Sequence, residues 1–222
     1  MKFFTYINYF YFLLDNWNLK VAWYMIRQEI KGEKKYGINT TGADELIKLE
    51  KLGIDISHAT IYMPVSYVLL EDIFKQLGSA TKNHFLDIGC GKGRAMCIAA
   101  YHGFVKLTGI DISKDLCDAA KKNLEITKQN FKTTEYTIIN NDAFYFEIPG
   151  DVDCIFLFNP FDEIIMSGVV QNILSSFQKH PRLINVIYVN PLHKELFLKA
   201  GFSETWHFKK MKYIEAVILV ME

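Results

Sequence analysis

The sequence predicts an α/β fold in which a largely parallel sheet follows an N-terminal helical extension. Three observations predict it. From residue 84 onward short apolar runs alternate with helical patterns, the rhythm of parallel strands joined by right-handed crossovers. The last two apolar runs follow each other with no helix between them, which makes a hairpin and turns one final strand antiparallel. The first thirty residues share neither habit and hold ten of the 32 aromatic residues.

Each element has its own justification. Phe3, Ile7, Phe10, Leu14, Trp17, Val21 and Tyr24 recur at alternating four- and three-residue spacing, one stripe of a helix. Lys31 to Gly42, rich in glycine and threonine, reads as a loop. Ala43 to Leu52 reads as a short helix stopped by Gly53. Pro64 opens a helical pattern through Leu77, with Gly78 as its stop. Strands are expected at 84–89, 106–112, 136–140, 153–158 and 183–189, the fourth and fifth almost wholly apolar and therefore buried on both faces. Helices fill 92–102, from Ser113 as N-cap to about Gln129, 164–178 and 192–200, with Gly103 and Gly201 as stops. Ser203 to Phe208 and Tyr213 to Met221 form the closing hairpin, with Lys209, Lys210 and Lys212 at its solvated tip. The expected division is a helical extension over 1–60 and a sheet domain over 61–222.

Composition narrows the function. Half of the 222 residues are hydrophobic and 23% are charged, which excludes a disordered tail or a fibrous repeat. The formal net charge is zero, so bulk electrostatics do not favour a large nucleic-acid partner. Cys90, Cys97, Cys117 and Cys154 form no C-x-x-C pair and no zinc spacing with the histidines. They read as free thiols of a reducing cytoplasm, with no metal expected. No apolar run approaches the ~20 residues of a membrane span. Phe3 to Leu14 is broken by Thr5 and Asn8 and followed by no small-x-small cleavage site, so the expected location is cytoplasmic.

The candidate site lies in Asp87-Ile-Gly-Cys-Gly-Lys-Gly-Arg94, after the first strong strand and at the start of a helix. Glycines at 89, 91 and 93 allow a tight turn and close approach of a ligand. The following helix turns its free N–H groups to the same place. Asp111 ends the next strand eighteen residues after Gly93, where a carboxylate can accept both hydroxyls of a ribose. Asn141-Asp142-Ala143 ends the third strand. A carboxylate there can accept an adenine amino group, and the next backbone N–H can reach a ring nitrogen. The spacing G-x-G-x-G differs from the G-x-G-x-x-G of NAD proteins, since Arg94 stands where the third glycine would be.

At these residues the sequence resembles the class I S-adenosylmethionine-dependent methyltransferases. FLDIGCGKGR resembles their first motif, GIDIS their second, NNDAF their adenine-contacting motif and FLFNPF (156–161) their fourth. KKYGINTTG (34–42), IYMP (61–64), LFNPFDE (157–163) and YVNPLHKELFLKAGF (188–202) resemble one bacterial branch of that superfamily. The likeness covers about 30–222. It implies a Rossmann-like seven-stranded sheet with an antiparallel last strand, and S-adenosylmethionine as cofactor. It also implies that the backbone of Gly89, Cys90, Gly91 and Gly93 holds the methionine part, with Asp87 orienting its amino group. Asp111 would take the ribose, Ile112 would pack on the adenine, and Asp142 and Ala143 would read the adenine edge. Tyr62 and Thr41 would close over the cofactor. Asn159, beside the transferable methyl, would contact both cofactor and acceptor. Families that methylate amine or amide nitrogens often carry two prolines there, and this sequence has one. The acceptor is undefined, an amine or amide nitrogen being the leading expectation. The rivals are a cofactor-binding scaffold without catalysis and an NAD-dependent oxidoreductase.

The aromatic N-terminal stripe needs a covering surface. Its own sheet domain, a second copy of the chain and a membrane surface can each provide one. Counting Lys2, Lys20 and Arg27 against Asp15 and Glu29 ranks the membrane last. The expected arrangement is a lid on the sheet domain, with a homodimer through the N-terminal helix covering the rest. Partners are thus a small-molecule or protein acceptor rather than a large RNA, and no integral membrane.

Overall fold

A computed structural model describes residues 2–42, 62–77, 82–132, 134–158, 161–210 and 214–222. Two helices, α1 (Lys2–Asn16) and α2 (Leu19–Tyr36), precede α3 (Tyr67–Gln76). The alternating region follows: β1 (His84–Ile88), α4 (Arg94–Tyr101), β2 (Lys106–Asp111), α5 (Lys114–Asn130) and β3 (Glu135–Asn140). Next come β4 (Cys154–Phe158), α6 (Glu163–Lys179), β5 (Ile184–Val189), α7 (Lys194–Lys199), β6 (Ser203–Lys210) and β7 (Ile214–Met221). The seven strands order β3-β2-β1-β4-β5-β7-β6, all parallel except β7, which runs antiparallel to both its neighbours.

This is the expected Rossmann-like seven-stranded sheet, and the strand sequences explain it. β1 and β5 are buried along their whole length, and β4 is buried except at Phe158. Each is covered on both faces, as crossover helices require. Phe85, Phe74, Phe104 and Met96 anchor one core layer, and Leu86, Ile155, Val186 and Tyr188 the other. Ser113 caps α5 by accepting the N–H of Leu116, and Asp162 caps α6 by accepting those of Ile164 and Ile165.

The N-terminus departs from the sequence expectation. The stripe from Phe3 to Tyr24 does not lie on one helix. The chain breaks after Asn16, and Asn18 caps a new helix by accepting the N–H of Val21. The two helices pack together through Tyr9, Leu13, Ala22 and Ile26, of which none belongs to the stripe. The loop expected over 31–42 is also shorter. α2 continues through Tyr36 and stops at Gly37, whose φ of 72° closes it in left-handed conformation. The helix expected over 43–52, its Gly53 stop, and Gly78 lie outside the described residues. No helix among the described residues is long and apolar enough to cross a membrane.

Candidate cofactor site

The site forms where the strand order reverses. β1 sits between β2, on the β3 side, and β4, on the β5 side, so its carboxyl end opens on a topological switch point. Immediately beyond Ile88 the chain turns through Gly89, Gly91 and Gly93, with φ of 79°, 53° and 76°. The N–H groups of Gly89 and Cys90 both donate to the Ile110 carbonyl at 2.9 Å, and that of Gly93 to the Cys90 carbonyl at 2.8 Å. At Gly91 glycine is required twice over. The left-handed φ disfavours a side chain, and a Cβ there would lie 2.2 Å from Cε2 of Tyr62.

Asp111 binds this turn as well as facing it. One carboxylate oxygen accepts the Gly91 N–H and the other that of Ser113, each at 2.8 Å. Each oxygen keeps a second lone pair for a ribose hydroxyl. Burial raises its pKa, and the two backbone hydrogen bonds oppose the rise. The third strand is fastened to the second at the same level. Asn140 Nδ2 donates to the carbonyls of Asp111 and Ile112, and Asn141 N–H to that of Asp111. Asp142 accepts the Phe144 N–H and caps a single 3-10 turn, Ala143–Tyr145. The spacing singled out Asp87, Asp111 and Asp142, and the sheet brings their backbones to three adjacent strand ends.

Asp87 is 2% exposed and accepts no hydrogen bond from the described residues. Burial pushes its pKa well up, and the charge of Asp111 adds to the push. Among the described residues no cation offsets these two effects. Cys90 contributes backbone to the turn while its thiol is buried in the core, where burial raises its pKa. Ile112 is half-buried beside Asp111.

A wall from the N-terminal segment closes one side. Tyr62 lies against Gly91 and donates its hydroxyl to the Thr40 carbonyl at 2.7 Å. Lys92 Nζ sits 5.0 Å from the centre of the Tyr62 ring and donates to the Thr41 carbonyl at 3.3 Å. Thr41 is buried, with its hydroxyl donating to Glu29 and Glu33. Thus Tyr62 and Thr41 do meet the glycine turn, Thr41 through its backbone.

Sequence reasoning missed what holds that wall. Arg94, the first residue of α4, is 3% exposed and forms a fork with Glu29 of α2, itself 1% exposed. Nη1 donates to Glu29 Oε1 at 2.8 Å and to the Val65 carbonyl at 2.7 Å. Nη2 donates to Glu29 Oε2, and Nε to Thr40 Oγ1 at 2.8 Å. The Tyr67 ring lies 3.9 Å from the guanidinium carbon. Burial alone would lower the pKa of Arg94, but Glu29 raises it on balance. Glu33 accepts the N–H groups of Thr40 and Thr41 and the Tyr6 hydroxyl, which hold its pKa down against burial. The signal was readable: Glu29 and Glu33 fall on the face of α2 that also carries Ala22, Ile26 and Tyr36. Carboxylates on a core face announce a buried partner.

Fold and site together define an α/β protein with a glycine turn and a buried carboxylate pair, Asp87 and Asp111, at its switch point. Residues 86–188 match the family model described as a methyltransferase domain. A search of curated proteins gives no match. Among solved structures, the magnesium protoporphyrin IX methyltransferase of Synechocystis PCC 6803 with bound SAM is 15% identical, at a TM-score of 0.53. The match covers 72% of this chain and 86% of that one. A SAM-dependent methyltransferase from Aquifex aeolicus is 15% identical at a TM-score of 0.51, covering 81% of this chain and 100% of that one. At such identities the likeness speaks for the fold. The family match speaks for a methyltransferase domain over residues 86–188. The cofactor to set against the site is S-adenosylmethionine, the SAM bound in the Synechocystis structure.

The residues present fit that cofactor. Asp87 would take its methionine ammonium, a cation that would offset the burial of that carboxyl, and the open lone pairs of Asp111 would take its ribose hydroxyls. Asn159 lies outside the described residues. Among the described residues no group of His, Cys, Asp and Glu has the arrangement of a metal site.

Proposed function

We propose that the chain methylates an amine or amide nitrogen on a small molecule or a protein, with Asn159 at the acceptor. The observation that supports this reading is where β4 ends. Ile88 pairs with Leu157, so the chain leaves β4 at Phe158 alongside the start of the glycine turn, and Asn159 is the next residue. The Asn-Pro-Phe motif therefore follows directly in sequence on a strand end that neighbours the turn.

When bound, the cofactor supplies a methyl group activated by its sulfonium. The chain supplies position. Asp87 would hold the ammonium, Asp111 the ribose hydroxyls, and Ile112, Asp142 and Ala143 the adenine. Tyr62 and the Thr40–Thr41 backbone exclude water from the turn. A neutral amine needs no strong base before transfer. The Asn159 side-chain carbonyl would accept the acceptor's N–H and so orient its nitrogen.

The test separates binding from turnover. With labelled cofactor and a cell extract as acceptor source, Asn159→Ala should transfer methyl about 10- to 100-fold more slowly. Its affinity for S-adenosylhomocysteine should stay within a few fold. Normal transfer by the variant would remove Asn159 from the site. Tight cofactor binding with transfer to no fraction would make the chain a scaffold.

A further inference from the structure

We infer that the N-terminal helical hairpin is a docking surface for anionic lipid headgroups, holding the enzyme at a bilayer surface without crossing it. The inference rests on the hairpin alone, not on the acceptor assignment.

The acids of the hairpin are Asp15, Glu29 and Glu33. The structure buries two of them: Glu29 against Arg94, Glu33 against Thr40, Thr41 and Tyr6. α2 also extends past residue 30 and adds Lys31, Lys34 and Lys35, all exposed, with Lys35 paired to Glu71. Lys20, Arg27, Lys31 and Lys34 therefore face solvent with Asp15 as the one exposed acid of the two helices. The sequence-based ranking that placed a membrane last counted Glu29 as a surface charge and stopped the helix at residue 30. Both premises fail.

Beside the basic strip runs an apolar one. Leu19, Trp23 and Ile30 recur on one side of α2, exposed at 61%, 58% and 46%. Helical spacing puts Arg27 and Lys34 on the adjoining side. Trp23 meets Phe10 of α1 edge-on at 6.3 Å, so the strip continues across the hairpin. On α1 it takes in Phe3, and Phe4 and Tyr11 widen it, all three exposed. Aromatic and aliphatic side chains next to uncompensated lysine and arginine are the pattern of a helix lying in a headgroup layer. A second copy of the same surface would place like charges together, which favours lipid as the occupant.

The test uses the full chain and sedimentation with vesicles of phosphatidylcholine alone or mixed with phosphatidylglycerol. The protein should pellet with the anionic vesicles only, and less so as salt rises. The combined variant Arg27→Gln, Lys31→Gln, Lys34→Gln should lose about 100-fold in partitioning, from about fivefold per basic residue near the surface. Its thermal melt should not change, since these side chains are exposed. No binding to anionic vesicles, or equal binding to both kinds, overturns the inference. A dimer in solution that Trp23→Ala dissolves, with no vesicle binding, overturns it too and gives the surface to a second copy.

Discussion

Removing the carboxylate of Glu29 tests whether the N-terminal hairpin is part of the cofactor site or an attachment to it. Glu29 and Arg94 are both almost wholly buried, so Glu29→Ala leaves a guanidinium in the core. Of its acceptors, only Thr40 Oγ1 and the Val65 carbonyl remain. Breaking a buried pair from one side costs about 3–5 kcal/mol, because the remaining charge has neither water nor counter-charge. For a domain of this size that lowers the melting temperature by about 6–20 °C. Exchanging both partners, Glu29→Leu with Arg94→Met, removes the stranded charge and should recover most of the loss. Arg94 opens the helix after the glycine turn, so Glu29→Ala should also weaken S-adenosylhomocysteine binding in calorimetry. Circular-dichroism melts of the two single variants and the double decide the matter. A melt of Glu29→Ala within about 2 °C of wild type would refute the reasoning. So would a double variant no more stable than the single.

Two further outcomes follow from the turn itself. Gly91→Ala meets both a φ of 53° and the Tyr62 ring. The left-handed conformation alone costs about 1–2 kcal/mol, so cofactor affinity should fall at least about 5- to 30-fold. Adding Tyr62→Ala should restore part of it, and calorimetry showing wild-type affinity for Gly91→Ala would contradict the account. For pH, Asp87 has a folded pKa raised above its ordinary 3.8. Between those two values the folded, cofactor-free protein holds a proton that the unfolded chain has lost. Its stability therefore falls as pH rises through that window. Asp87→Asn should flatten the fall in melts taken across pH. Cofactor binding to the wild type should release a proton there, measured as a buffer-dependent binding enthalpy; a wild-type profile as flat as the variant's would argue against the shift.

How much of this was legible in the sequence depends on where the information sat. β1, β4 and β5 are five- or six-residue apolar runs bounded by turn residues, and their pattern admits little else. The glycine turn, Asp111 and Asp142 were legible because local spacing fixes them at strand ends. The N-terminus was not. Seven apolar residues keep helical spacing straight through Trp17 and Asn18, where the helix breaks. Nothing in the period reveals the break except Asn18 as a cap. Gly32 argued for a loop, yet it lies inside α2, and it is glycine because the Tyr67 ring occupies the place a side chain would need. Glu29 finds Arg94 sixty-five residues away, a pairing that only the folded chain creates.

The order of the strands in space has a consequence for how the chain comes together. β7 fills the slot between β5 and β6, although it is made after both. Until Ile214–Met221 has been synthesised, the sheet carries an open edge at β5, and β6 has no partner. The growing chain can assemble β1 to β5 around the cofactor turn while that edge waits. The inserted strand then closes both gaps at once, burying Val217 and Leu219 against the layer that holds Tyr188. A nascent chain stalled before that strand would present two unsatisfied strand edges, the kind of surface on which neighbouring chains aggregate.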